Sequence, residues 1–246
     1  MTVFTISLIS AAGGSGRSTL TACLADILRR RGRPVLVVDF DPQNALAMKL
    51  GIVPAPADGL AAAAVRGGAW QDSARVNSDR VQLLPFGQLR LPELRQFENL
   101  LYDQPQWLAQ RLAQLDLAAG TVVLIDTPRL PSVFASQAIA ASRLRLAVLR
   151  ADAAAYATLR LNAGNAEFLY MLNKVEATQR LQNDMRALLR HELGDRLAPY
   201  PVHRDEAVPE AEAANRALVD YAVHSQAAHD LQGLASWLET LVEQKR

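Results

Sequence analysis

The sequence predicts an α/β protein: a doubly wound, mainly parallel sheet with helices on both faces. Three observations carry that prediction. Short runs of aliphatic and β-branched residues are apolar throughout, as strands buried on both sides must be. Segments with apolar residues at helical spacing separate these runs. Small and acidic residues gather where the runs end, at the edge where such sheets bind ligands.

"VFTISLIS" (3–10), bounded by Gly13 and Gly14, reads as the first strand. Leu20, Cys23, Leu24, Ile27 and Leu28 then recur at helical spacing, and Gly32 and Pro34 end that helix. "PVLVVDFD" (34–41) is the second strand, tipped with carboxylates. "VQLLPFG" (81–87), "TVVLIDTP" (121–128), "LRLAVLR" (144–150) and "EFLYMLN" (167–173) follow as strands, and "APYPVHR" (198–204) is a weaker one. Residues 104–118, 176–193 and 226–243 read as helices, as do the alanine-rich stretches 61–64 and 151–155. "VPAPADG" (53–59) is a loop, because the same alternation resumes after it. One domain spanning 1–246 is expected, without internal repeats.

Of 246 residues, 26 are basic and 25 acidic, so bulk charge offers no case for nucleic acid. Cys23 is the only cysteine, which rules out a disulfide framework and a cysteine-ligated metal or iron–sulfur cluster. It lies on the apolar stripe of the first helix and is expected in the core. No apolar run approaches the ~20 residues that span a bilayer, and the N-terminus lacks a basic leader. The expectation is a soluble, cytoplasmic protein.

"AAGGSGRST" (11–19) lies between the first strand and its helix. A glycine loop alone is equally well a ligand-free turn. In this context Gly13, Gly14, Ser15 and Gly16 let backbone N–H groups approach phosphate oxygens at a helix N-terminus. Ser18 offers a hydroxyl to Mg²⁺, and Asp126, at the end of an apolar strand, can hold the metal through water. Asp39 and Asp41 end a second strand beside it. Loop, helix and acid-tipped strands in this order point to a Mg–nucleotide site.

These stretches resemble the ParA/MinD group of P-loop ATPases, whose deviant loop reads K-G-G-x-G-K-S/T-S/T. Gly13, Gly14, Ser15, Gly16, Arg17, Ser18 and Thr19 match it, "VVDFDPQ" (37–43) resembles the group's D-x-D-P-Q switch, and "VVLIDTP" (122–128) its Walker B strand. "LLPFGQL" (83–89) and "VHRDEAVPEAEAANRALVDY" (202–221) are similar to the cellulose biosynthesis protein Q branch. The resemblance implies ATP and Mg²⁺ as cofactors. Asp41 would position the attacking water, and Asp39 would belong to the metal network. Asn173 would read adenine, with Pro201, His203 and Arg204 in a loop around the base. Arg204 is read either as a partner stacked on adenine or as an ordinary surface arginine.

The resemblance breaks at two positions. Ala12 stands where the group carries the lysine that crosses a sandwich dimer, and Arg17 stands for the ordinary loop lysine. Lysine occurs only at 49, 174 and 245, so arginine has replaced it widely. Arginine keeps the charge but not the compact ammonium. A misplaced charge at the transferring phosphoryl costs of order 10²–10³ in rate, whereas ground-state binding suffers less. Arg17 is therefore counted with Asp39 and Asp41 as catalytic in a slow ATPase.

The implied role is an ATP-dependent switch or scaffold for cellulose secretion and biofilm formation. It would act as an ATP-dependent homodimer, with synthase subunits at the inner membrane and a small BcsR-like companion as partners. A partition ATPase acting on DNA or cargo and a nucleotide-locked pseudoATPase are the alternatives. Membrane proximity would come through partners. Leu231, Leu234, Leu238, Leu241 and Val242 form a stripe expected to close the fold, not to insert in lipid. "RRRGR" (29–33) reads as a solvated helix end.

Overall fold

The structure, a computed structural model, describes residues 3–162 and 168–245. Strand β1 (Phe4–Ile9) leads into α1 (Arg17–Arg30), and β2 (Val35–Asp39) into α2 (Leu46–Lys49) and α3 (Leu60–Arg66). The short β3 (Arg75–Val76) pairs with β4 (Gln82–Leu84) ahead of α4 (Leu91–Asp103) and α5 (Trp107–Ala113). Then come β5 (Val122–Asp126), α6 (Val133–Ala141), β6 (Leu144–Leu149), α7 (Ala153–Asn162), β7 (Phe168–Leu172) and α8 (Arg180–Leu193). Helices α9 (Ala207–Ala213), α10 (Leu218–Tyr221) and α11 (Gln226–Gln244) finish the chain.

The sheet order is β3-β4-β2-β5-β1-β6-β7, parallel except for β3. The expected doubly wound sheet is the observed one. Alternate residues of each strand feed opposite cores, as the two-residue period requires. Val35, Val37, Val122 and Leu124 pack with α1, α2 and α11, whereas Leu36, Val38, Val123 and Ile125 pack with α3–α6. The crossover from β1 runs to β2 on one side, and the crossover from its neighbour β5 runs to β6 on the other, which opens a crevice at the carboxyl ends of β1 and β5. Register sets Asp39 opposite Asp126 at that edge.

Several boundaries moved for local reasons. The strand expected over 81–87 stops at Leu84, because Pro85 has no N–H for the ladder. Residues 198–204 form no strand. Pro199 and Pro201 interrupt the donors, leaving isolated bridges from Leu197 to Tyr170 and from His203 to Val175. The helix expected over 104–118 is confined to α5, and α4 precedes it with proline in its first turn, where a missing N–H costs nothing.

Helix α11 packs as expected: Leu231, Leu234, Leu238 and Val242 are buried in the core, with Leu241 and Trp237 partly buried against it. The arginines of 29–33 differ from expectation. Arg30 pairs with Asp79 and Asp220, Arg31 with Glu239, and Arg33 with Glu239 and Glu243. Individually such surface pairs contribute little. Together they seat α11 against the end of α1 and occupy the strongest basic run of the sequence.

Candidate functional site

The turn between β1 and α1 is built by backbone geometry. Gly14 and Gly16 are left-handed (φ +67° and +89°), which lets the chain reverse over the sheet edge. The first turn of α1 carries no side-chain cap and no acidic residue, so its N–H groups stay open to an anion. Gly16 is required by contact as well as by φ. A Cβ there would lie 2.4 Å from Asn173 Nδ2. Gly16→Ala is expected to lower stability by about 1–3 kcal/mol, read by urea unfolding; unchanged stability would show that Asn173 yields freely.

Three side chains hold this loop from outside. Asn173 Nδ2 donates to the Ser15 carbonyl (2.7 Å), and Lys174 Nζ donates to the Gly14 carbonyl (2.9 Å). Arg17 turns back beneath the loop. Its Nε donates to the Thr127 carbonyl (2.9 Å), and Nη1 faces the Ala12 carbonyl (3.3 Å), with the Ser10 carbonyl and Ser15 Oγ both at 3.5 Å. Burial lowers its pKa, and the charges of Asp126 and Asp41 oppose that drop.

The three acids divide by partner. Asp39, fully buried, accepts the N–H of Asp41 (3.1 Å) and of Leu46 (3.0 Å) on separate oxygens. It thus shapes the turn that follows it. Asp41 accepts the N–H of Gln43 (2.9 Å). Asp126 is 1% exposed; the Ser18 hydroxyl and Thr127 N–H lie toward it, but no hydrogen bond of ordinary geometry reaches either oxygen. Burial raises all three pKa values, and the charge of Asp126 raises that of Asp39 further. For Asp126 the rise reaches about 7, opposed by the nearby Ser18 hydroxyl and Arg17 charge.

An unpartnered buried carboxylate beside an open helix N-terminus fits a hydrated cation. Among the described residues no group of three or more His, Cys, Asp or Glu is arranged to hold a metal. Mg²⁺ here would draw on Ser18, on Asp126 through water, and on phosphate oxygens, consistent with its small share of protein ligands. It would neutralise phosphate charge. Asp39 is spent on backbone amides, which makes it a positioning residue for Asp41.

A cavity of about 380 Å³ opens beside the loop, lined by Gly16, Thr19, Asn173, Lys174, His203 and Arg204 among others. It does not extend over Gly13, Gly14 or Asp126. His203 is fixed by Asp230, which accepts from its backbone N–H (2.9 Å) and bonds Nδ1 (2.8 Å). Arg204 is exposed and reaches Glu176 and Glu206 instead of stacking inward. Pro201 is not brought to this cavity. The two prolines break the strand, and Pro201 lines a separate hollow with Leu172 and Asn183. Cys23 lines the cavity wall, and burial pushes its thiol up to about 12, so it stays protonated and unreactive.

One participant escaped sequence reading. Glu212 of α9 accepts from Thr19 Oγ1 (2.7 Å) and from Lys49 Nζ (2.8 Å), joining α1 to α2 across long sequence separations. Lys174 belongs to the "NK" pair (173–174) that fits the family resemblance, and only its contact with the Gly14 carbonyl is decided by tertiary structure.

The profile of the family "Cellulose biosynthesis protein BcsQ" matches residues 1–238. Cellulose biosynthesis protein BcsQ of Salmonella typhimurium strain LT2 is 30% identical over 233 residues, covering 92% of this chain and 90% of that protein. BcsQ of Escherichia coli strain K12 is 31% identical over 235 residues, covering 92% and 90%. Among solved structures, the septum site-determining protein MinD of Pyrococcus horikoshii OT3, complexed with Mg-ADP, superposes with a TM-score of 0.80 at 20% identity, covering 100% of this chain and 99% of that one. Phosphate-type loop, acid-tipped strands and whole-length similarity agree, and the chain belongs to the cellulose biosynthesis protein BcsQ family.

Proposed function

We propose that this chain is an ATP- and Mg²⁺-binding switch or scaffold that supports assembly, localisation or activity of the bacterial cellulose synthesis and secretion machinery, and that it hydrolyses ATP slowly. The observation that carries the reading is the open N-terminus of α1 above the unpartnered Asp126 carboxylate. Membership of the BcsQ family supports the cellulose pathway, and the MinD relative with Mg-ADP supports the nucleotide.

In this reading the backbone amides of the loop and first turn grip the phosphates. Ser18 and Asp126 hold the metal, Asp41 orients water, and Asp39 holds Asp41 in place. The cavity lined by Asn173, His203 and Arg204 takes the nucleoside. Arg17 must leave the Thr127 and Ala12 carbonyls before it can neutralise a transferring phosphoryl. That reorganisation makes turnover slow while binding through amides survives. ATP would favour a homodimer or a complex with inner-membrane synthase subunits and a small companion protein, placing a cytoplasmic chain at the membrane through its partners. Consumption of Arg30, Arg31 and Arg33 in ion pairs weighs against DNA as the cargo.

Calorimetric titration with ATP and Mg²⁺ tests the reading, and no heat together with no thermal shift would end it. Arg17→Lys is expected to raise single-turnover phosphate release about tenfold or more. That release is expected to vanish in Asp41→Ala. An unchanged rate in Arg17→Lys would show that the guanidinium is not what limits turnover.

A further inference from the structure

Resting on the nucleotide reading above, we propose that Lys174 supplies the ammonium that meets the nucleotide phosphates at this loop. The loop contains no lysine, and its one cation, Arg17, is turned beneath it among carbonyl acceptors. Lys49 is paired with Glu212, which also holds Thr19 Oγ1. Lys174 is placed differently. It is exposed, it lines the cavity beside Gly16 and Thr19, and its Nζ lies 2.9 Å from the Gly14 carbonyl.

That carbonyl takes one of three ammonium donors, so two remain for an anion arriving at the loop. Above Gly13 and Gly14 there is room, since a Cβ at either position would meet nothing within 4 Å. A compact ammonium on a four-carbon stem can follow a phosphate by a small rotation without surrendering a network, as Arg17 would have to.

The backbone supports the assignment. Lys174 is left-handed (φ +56°), a conformation side chains other than glycine and asparagine seldom adopt. Both flanks enforce it: the Asn173 N–H donates to the Leu149 carbonyl (2.8 Å), and the Val175 N–H donates to the Val202 carbonyl (3.1 Å). Strain of this kind persists where surrounding structure over-determines it, and it is concentrated at ligand clamps. Here it carries the Lys174 side chain from the end of β7 across to the loop.

Calorimetry with ATP, ADP and adenosine, each with Mg²⁺, tests the proposal on the full chain. Lys174→Met is expected to weaken ATP and ADP about tenfold or more, the scale of one charge-assisted contact, and to leave adenosine unchanged. Lys174→Arg should retain most of the affinity, which also guards against a folding failure. Adding Arg17→Lys to Lys174→Met should restore phosphate-dependent affinity, because the ammonium returns from the helix side. A mere tether of the loop would not be restored that way. Equal ATP affinity in Lys174→Met, an equal loss for adenosine, or no recovery in the double variant would each overturn the assignment while leaving the nucleotide reading standing. Absence of binding by the unaltered chain would remove both.

Discussion

Replacing Asp126 by asparagine is expected to raise the melting temperature of the ligand-free protein at pH 8 and, under the proposed nucleotide reading, to erase the further rise that Mg²⁺ with ATP would bring to the unaltered chain. Asp126 is buried, and no hydrogen bond of ordinary geometry reaches either oxygen. Its pKa rises to about 7 from 3.8, so the folded state holds the proton more tightly than the unfolded chain does. The associated stability is complete below about pH 4 and is lost as pH climbs through about 7, with the full cost present above. Asp39, also raised, contributes with the same sign. A neutral amide removes that cost. A gain of at least 1 kcal/mol, roughly 2–4 °C for a chain of this size, is expected, and the fall in melting temperature from pH 5 to 8 should flatten.

Metal dependence runs the opposite way. Mg²⁺ needs the carboxylate, so stabilisation by Mg²⁺ and ATP should grow as pH rises through about 7 in the unaltered chain and be absent in Asp126→Asn. Thermal melts at pH 5, 6.5 and 8, with and without Mg²⁺ and ATP, check both halves. A destabilised Asp126→Asn at pH 8 would mean the carboxylate is satisfied in solution and contributes to the fold.

Phe40→Ala is expected to cost about 3–5 kcal/mol, the range for truncating a buried aromatic ring, and to disable the site without touching a polar group. Phe40 is fully buried, with ring centroids of Phe134 at 5.7 Å, Phe86 and Phe97 at 6.2 Å and Trp107 at 6.4 Å. Three of those contacts are edge-on, the geometry that suits ring quadrupoles. The cavity left behind is bounded by β2, α4, α5 and α6 and cannot readily collapse. Urea unfolding measures the loss, and Phe40→Leu should cost much less because it keeps most of the volume. A loss below 1 kcal/mol in Phe40→Ala would show that the aromatic cluster repacks.

The strands were legible because burial on both faces leaves few polar positions in them. "VLVVD" and "VVLID" each deliver one set of side chains to α1 and α11 and the other to α3–α6. Pro199 and Pro201 were legible too, and they explain why "APYPVHR" supplies bridges without a strand. Helix α4 carried a readable signal, Leu94, Phe97 and Leu101 at helical spacing, which the longer apolar stretch after it obscured. Within the site, residue types were readable and their hydrogen-bond partners were not. Nothing local announces that both Asp39 oxygens face backbone amides, that Arg17 bends toward Thr127, or that Glu212 reaches Thr19 across 193 positions. Each is decided by tertiary neighbours. Pro201 shows the same limit from the other side, since adjacency to His203 in sequence did not bring it into the same cavity.

Between Asp39 and Asp41 stands a fully buried ring, and this sets the mechanical character of the acid turn. This tripeptide is bolted down at its centre, so its two carboxylates cannot wander independently of the aromatic bed. Under the proposed reading, a rearrangement that reports nucleotide state would hinge beyond Asp41, where Pro42 to Ala45 run into α2. A variant designed to freeze that hinge, leaving every charge in place, would separate gripping a ligand from announcing it.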